Sequence, residues 1–156
     1  MMKSDPGYFL AILAVNMLFV FIALQALAVK KNRTGVKKWL EKSSTIMIIP
    51  LAAAALANFL ALRPAWTVIT PLLMVFFLAA DAVLDRLVIL HKDYFVLVIF
   101  NGLFFITAGM GMAFYAFAAG TDAGFITLVT MTAAGWAGFL SSRSHFQNIS
   151  QWGIRR

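Results

Sequence analysis

The chain has 156 residues, of which 62% are hydrophobic and only 12% are charged. A soluble domain is about 45–50% apolar and about 25% charged, so this composition excludes an ordinary water-soluble globule and indicates that lipid surrounds much of the protein. The absence of cysteine excludes disulfide scaffolds, thiol catalysis and thiolate metal sites, while the net charge of +7 must be interpreted from where the basic residues lie.

A transmembrane helix needs about 20 mostly apolar residues, and several such stretches follow one another along the chain. They lie at about residues 8–29, 44–62, 66–90, 94–120 and 124–140. The longest connection, 30–43, is basic, and a tail of residues 141–156 follows the last span. The sequence therefore predicts a single domain, an all-α integral membrane protein that is a five-transmembrane-helix bundle with short loops.

The basic residues predict the orientation of this bundle. With five spans, all but Lys3 and Arg63 of the 13 lysines and arginines fall on one side of the membrane. Because basic residues concentrate in cytoplasmic loops, we expect the N-terminus outside, the C-terminus in the cytoplasm, and a multi-pass protein of the plasma or inner membrane.

The connection 30–43 also predicts contact with lipid. Trp39 and Leu40 lie among its lysines, which is typical of a short interfacial helix on anionic lipid. The residues expected to contact lipid headgroups are Lys30, Lys31, Arg33, Lys37, Lys38, Lys42 and Arg86. The positive charge is thus interpreted as an orientation and lipid signal, and no nucleic-acid partner is predicted.

Ionisable residues inside a span are costly and are functional-site hypotheses by default. Asp81 and Asp85 lie one turn apart on the third span, and Gln25 and Asn101 are expected at a similar depth in the first and fourth spans. Side-chain amides supply the donors that a buried carboxylate needs. The sequence predicts a polar cluster of Asp81, Asn101 and Gln25, with Asp85 nearer the surface.

Three interpretations of this cluster stay open. It is structural if its side chains only join helices, it forms an ion or proton path if Asp81 titrates during function, and it is catalytic if the carboxylates act on a lipid headgroup. Asn16 and Asn58 form a second expected polar pair in the outer half of the bundle, where helix–helix hydrogen bonding is favoured. Pro50 and Pro71 can each kink a span.

Small residues recur at helical spacing in the last two spans, which is typical of close helix packing in membranes. The predicted packing residues are Gly102, Gly109, Ala113, Ala116 and Gly120 in the fourth span and Thr130, Ala134 and Gly138 in the fifth. The two rows either face each other or leave one surface for a partner.

The favoured function is a small non-catalytic membrane subunit that packs with other membrane subunits or with copies of itself. The first alternative is a small oligomeric transporter or channel with an ion or proton path at Asp81, and the second is an intramembrane lipid-modifying enzyme. No catalytic residue, metal or cofactor is predicted, because neither His91 nor His145 lies inside a span where it could bind haem or metal.

Overall fold

The computed structural model describes residues 6–31, 33–88 and 94–153, and the side chains of residues 6–31, 33–83 and 102–140. The secondary structure in these ranges is entirely helical. The helices, in chain order, are α1 (Pro6–Lys30), α2 (Thr34–Ile46), α3 (Ile48–Leu60), α4 (Ala65–Val88), α5 (Tyr94–Ala119) and α6 (Thr121–Gly153).

Within these ranges, five helical segments are long and apolar enough to cross a membrane, which confirms the expected number of apolar helices. The segments are Pro6–Lys30, Thr34–Leu60, Ala65–Val83, Gly102–Ala119 and Thr121–Leu140. The second begins at Thr34 rather than near Ser44, because most of the basic connection is itself helical. The last helix continues beyond Leu140 to Gly153, through most of the segment that was expected to be a tail.

The second apolar segment is divided into α2 and α3 at Met47. Pro50 lies in the first turn of α3, where it has no amide hydrogen to donate to the carbonyl of Ile46 and its ring crowds that carbonyl. Met47 instead donates to the carbonyl of Ser44 at 3.1 Å, a tighter turn than that of an α-helix. Pro50 thus acts as the first-turn proline of a new helix.

The five long segments pack in a ring, in which α1 contacts α3 and α6, α3 contacts α4, α4 contacts α5, and α5 contacts α6. Helices joined by short connections run antiparallel, so a ring with an odd number of members needs one parallel pair. Tyr8 and Phe19 of α1 lie against Tyr115 and Phe105 of α5 respectively, so α1 is antiparallel to α5 and therefore parallel to α6. The ring closes through the parallel pair α1 and α6.

Large apolar side chains fill the interior of the ring and also cover its outside. Leu18, Leu51, Met74 and Met112 are fully buried. Each long segment also exposes bulky side chains, among them Phe9, Leu56, Phe76, Phe114 and Val129. Contiguous apolar surface on every side is unfavourable in water and is what a membrane-embedded bundle presents to acyl chains.

The turn between α3 and α4 contains a strained residue. Leu62 has a φ of 51°, the left-handed region that glycine normally occupies at this position after a helix. Its amide donates to the carbonyl of Phe59 at 3.0 Å, and the amide of Arg63 donates to the carbonyl of Asn58 at 3.1 Å. A non-glycine residue there costs about 1–2 kcal/mol. The turn directs the chain so that Arg63 reaches back over the end of the bundle.

Candidate functional site

The side chain of Asn58 connects three parts of the bundle at the end where α1 begins. Its Nδ2 donates to the carbonyl of Thr67 and to the hydroxyl of Tyr115, both at 2.9 Å. Its Oδ1 accepts a hydrogen bond from Nη1 of Arg63 at 3.1 Å. Asn58 is fully buried, and both of its amide hydrogens are donated within the chain, so this side chain joins α3, α4 and α5.

The carbonyl of Thr67 accepts from Asn58 because of a proline one turn further along. Residue 71 of a regular helix would donate its amide hydrogen to the carbonyl of residue 67, but Pro71 has none. α4 continues through Pro71 without interruption. In a membrane, a carbonyl freed by proline must find a donor within the protein, and Asn58 of the neighbouring helix supplies it.

Aromatic rings surround this asparagine. Tyr8 and Tyr115 stack with ring centroids 4.7 Å apart, and Trp66 meets Tyr115 edge-on at 6.0 Å. The guanidinium carbon of Arg63 lies 4.9 Å from the centroid of the Tyr8 ring, a cation–π contact. We call Tyr8, Asn58, Arg63, Thr67 and Tyr115 the Asn58 hub.

One hydroxyl of the hub has no hydrogen bond of ordinary geometry. Tyr8 is 2% exposed, and its hydroxyl finds no such partner among the described residues. The Thr67 hydroxyl is a polar neighbour of Tyr8; it donates its own proton to the carbonyl of Pro64 at 2.8 Å, and its oxygen can still accept a hydrogen bond. The contacts of ordinary geometry that Tyr8 makes in the hub are those of its ring, with Tyr115 and Arg63.

Asn16 joins the parallel pair α1 and α6. Its Nδ2 donates to the Thr127 hydroxyl at 3.0 Å, and its Oδ1 accepts from the Thr130 hydroxyl at 2.6 Å. A further Nδ2 bond runs to the carbonyl of Ile12 within α1, at 2.8 Å. The expected helix–helix hydrogen bonding of Asn16 and Asn58 is thus confirmed for each residue, but their partners are different side chains rather than each other.

The structure describes only part of the cluster predicted around Asp81. Gln25 donates to the Ser44 hydroxyl at 3.0 Å and so connects α1 to α2. Asp81 is half buried in α4. The side chains of Asp85 and Asn101 lie outside the described residues, so a cluster of Asp81 with Asn101 and Gln25 stays a prediction.

The predicted small residues occupy several different environments. A Cβ at Gly109 would lie 2.9 Å from the sulfur of Met131 on α6, and Ala113, Ala116 and Ala134 are buried. Thr130 donates a hydrogen bond to Asn16 of α1. In contrast, a Cβ added at Gly102, Gly120 or Gly138 would meet no atom of the described side chains within 4 Å.

The basic residues of the first connection lie at the surface. The exposed members are Lys30, Lys31, Arg33, Lys37, Lys38 and Lys42. Lys37 forms an ion pair of 3.1 Å with Glu41, one turn along α2. The side chain of Arg86 lies outside the described residues.

The hub was only partly predictable from the sequence. Asn58 was singled out, but Tyr8, Arg63 and Tyr115 were not, although an arginine at the end of an apolar helix and a proline inside the next one are visible signals. Among the described residues, no group of three or more histidine, aspartate or glutamate side chains is placed to hold a metal ion; the absence of metals and cofactors stays a prediction.

The chemical capability of these sites is hydrogen bonding between helices, since the amides of Asn58 and Asn16 are already donated within the chain. Comparison with protein-family models, with curated proteins and with solved structures found no match to this chain.

Proposed function

We propose that this protein is a small non-catalytic membrane subunit that packs with other membrane subunits or with copies of itself. One observation carries the proposal: Asn16, Asn58 and Gln25 all donate hydrogen bonds to groups on neighbouring helices of the same chain. Amide side chains that donate hydrogen bonds across helices fix how those helices pack.

The outer surface is where such a subunit would meet its partners. Gly102 of α5 is exposed, and so are its neighbours Leu103 and Ile106. A glycine beside bulky side chains allows a helix of another chain to approach closely. Gly102, Leu103 and Ile106 therefore belong to the proposed partner surface. Gly109, further along α5, packs instead against α6 within the chain.

The proposal includes an orientation, with the N-terminus outside and the connection 30–43 in the cytoplasm of a plasma or inner membrane. Its support is the asymmetry of the basic residues. Exposed cations cluster where α1 meets α2, a region that we call the α1–α2 corner: Lys30, Lys31, Arg33, Lys37, Lys38 and Lys42. This corner lies at one end of the bundle and the Asn58 hub lies at the other. We expect a reporter that is active only in the cytoplasm to work when fused after residue 156 and to fail when fused before residue 1. The opposite pattern would reverse the orientation.

A second candidate function is a small oligomeric transporter or channel, which is favoured by one observation. Asp81 lies half buried within a segment that is long and apolar enough to cross a membrane. Carboxylates at such positions mark ion and proton routes in many membrane proteins. The intramembrane enzyme has no comparable observation in its favour.

Extraction in mild detergent followed by native mass measurement tests the subunit proposal. We expect a complex of fixed composition that contains other chains or further copies of this one, and we expect Asp81→Asn to leave it unchanged. Gly102→Leu should lower the fraction in the complex, whereas Val129→Leu, an exposed apolar exchange on α6, should not.

A monomer in native mass measurements would contradict the proposal. An ion flux in proteoliposomes that disappears in well-folded Asp81→Asn would instead establish the transporter.

A further inference from the structure

Helix α2 presents three different surfaces. Leu40 and Ser44 are buried, and Ser44 accepts the hydrogen bond from Gln25, so this side rests on α1. A second side exposes the apolar residues Val36, Trp39 and Ile46. The third side carries the exposed Lys38 and Lys42.

The apolar side of α2 continues into the outer surface of the bundle. Trp39 is 63% exposed, but its ring meets the edge of Phe21 of α1 at a centroid distance of 6.4 Å. Leu24 and Leu27, further along α1, are exposed as well. The surface around Trp39 is thus continuous with the surface that faces acyl chains. A soluble partner does not reach this surface.

The length of α3 fixes the depth of α2. α3 has 13 residues and spans roughly 20 Å at about 1.5 Å per residue, whereas the hydrocarbon core of a bilayer is about 30 Å thick. The C-terminal half of α2 must therefore lie within the apolar layer, together with the ring of Trp39, which packs on Phe21 of α1. The N-terminal residues of α2 and the end of α1 then lie at the level of the headgroups, which the long side chain of Lys42 reaches from within the apolar layer.

The cations at this level are numerous and solvent-accessible. Lys37 is paired with Glu41, and the remaining basic side chains of the corner have no ion pair with any described residue. They are Lys30, Lys31, Arg33, Lys38 and Lys42. Each basic residue near an anionic membrane surface is worth about 1 kcal/mol of attraction, so together they favour phosphodiester headgroups that carry a net negative charge.

We propose that α2 and the end of α1 form a binding surface for anionic phospholipids of the leaflet at which α1 ends, with Trp39 and its apolar neighbours in the acyl region and the lysines on the headgroups. Charge complementarity and continuity with the apolar exterior select this occupant over an acidic protein or a nucleic acid, neither of which enters the acyl layer. The inference requires that the bundle be in a membrane, but it does not depend on the subunit proposal.

The experiment uses the full chain in nanodiscs that contain equal amounts of phosphatidylcholine and phosphatidylglycerol. The lipids retained on the protein are counted by native mass spectrometry after ejection from the disc. We expect about tenfold enrichment of phosphatidylglycerol, since one to two effective contacts of about 1 kcal/mol suffice. High salt should reduce the enrichment, because exposed charges are screened.

Variants of exposed lysines assign the effect to this surface. Replacing Lys30, Lys31, Lys38 and Lys42 with glutamine should abolish the enrichment, and Lys38→Gln with Lys42→Gln should reduce it by a smaller factor. The matched control is Lys37→Gln with Glu41→Gln, which removes an ion pair without changing the net charge and should keep the enrichment.

Equal retention of the two lipids by the wild-type chain, or an enrichment that persists in the fourfold variant, would overturn the proposal. So would a soluble acidic protein bound to the lysines in the absence of any lipid preference. Because complex formation is measured separately, failure here is distinguishable from failure of the proposed function.

Discussion

Asn58→Leu is expected to destabilise the folded protein by about 2–4 kcal/mol, because leucine fills a similar volume but donates no hydrogen bond. The carbonyl of Thr67 and the hydroxyl of Tyr115 would both lose their donor. A buried group left without a partner costs about 1–3 kcal/mol, and hydrogen bonds between membrane helices average about 0.6 kcal/mol. The loss of these two bonds and of the one that Arg63 donates to Asn58, all at a fully buried position, places Asn58 among the most sensitive residues of the chain.

A second substitution separates the hydrogen bond to Thr67 from the rest of the effect. Pro71→Ala restores the backbone amide that normally donates to the carbonyl of residue 67. In the Asn58→Leu background this change should therefore recover part of the lost stability. We expect Pro71→Ala to stabilise the Asn58→Leu protein by about 1 kcal/mol more than it stabilises the wild type. This difference, the coupling free energy between residues 58 and 71, measures the hydrogen bond from Asn58 to the Thr67 carbonyl.

The measurement is reversible unfolding of the wild type, the two single variants and the double variant in mixed micelles with increasing SDS, followed by circular dichroism. Leu56→Ala, an exposed position on the same helix, is the control for a general loss of helix packing and should change stability by much less than Asn58→Leu. If Pro71→Ala has the same effect with and without Asn58, the Thr67 carbonyl does not depend on the asparagine and the interpretation of the hub is wrong.

The apolar helices were predictable because the hydrophobic signal is local. About 20 consecutive apolar residues define a span without reference to the rest of the chain, so Tyr8–Val29 anticipates α1 with errors of one or two residues at each end. The start of the second segment was less accurate. Lys37, Lys38 and Lys42 lower its local hydropathy, although all three are exposed on the helix that forms there.

Partners within the bundle were not predictable, because depth along a helix does not fix which neighbour a side chain faces. Gln25 was placed at the level of Asp81 by depth alone, and depth does not indicate the hydrogen bond that its amide donates to Ser44 of α2; the Asp81 cluster itself stays a prediction. Asn16 and Asn58 share a half of the bundle, yet Asn16 faces α6 and Asn58 faces α4 and α5. The neighbour that a side chain faces depends on the order of the helices around the ring. No short stretch of the sequence indicates that order.

The tightest glycine position between α5 and α6, among the described glycines, is Gly124, outside the rows of small residues that the sequence predicted. A Cβ built there would lie 2.2 Å from two ring carbons of Phe117. The Phe117 ring is itself held against Phe125 in an edge-on contact with centroids 5.3 Å apart. Because α5 ends at Ala119 and α6 begins at Thr121, the connection has no slack to absorb a shift, and the ring or the helix ends must move.

Gly124→Ala is therefore expected to destabilise the protein by about 1–3 kcal/mol, the usual range for overpacking. The control is Gly120→Ala, four residues earlier: a Cβ there meets nothing within 4 Å, and alanine lowers the entropy of the unfolded chain, so stability should stay the same or rise by up to about 1 kcal/mol. Phe117→Leu in the Gly124→Ala background should restore part of the loss, because the smaller side chain vacates the space that the new methyl group needs. Unfolding in SDS measures all three variants; equal effects of alanine at positions 120 and 124 would mean that the contact with Phe117 does not limit how closely the two helices pack.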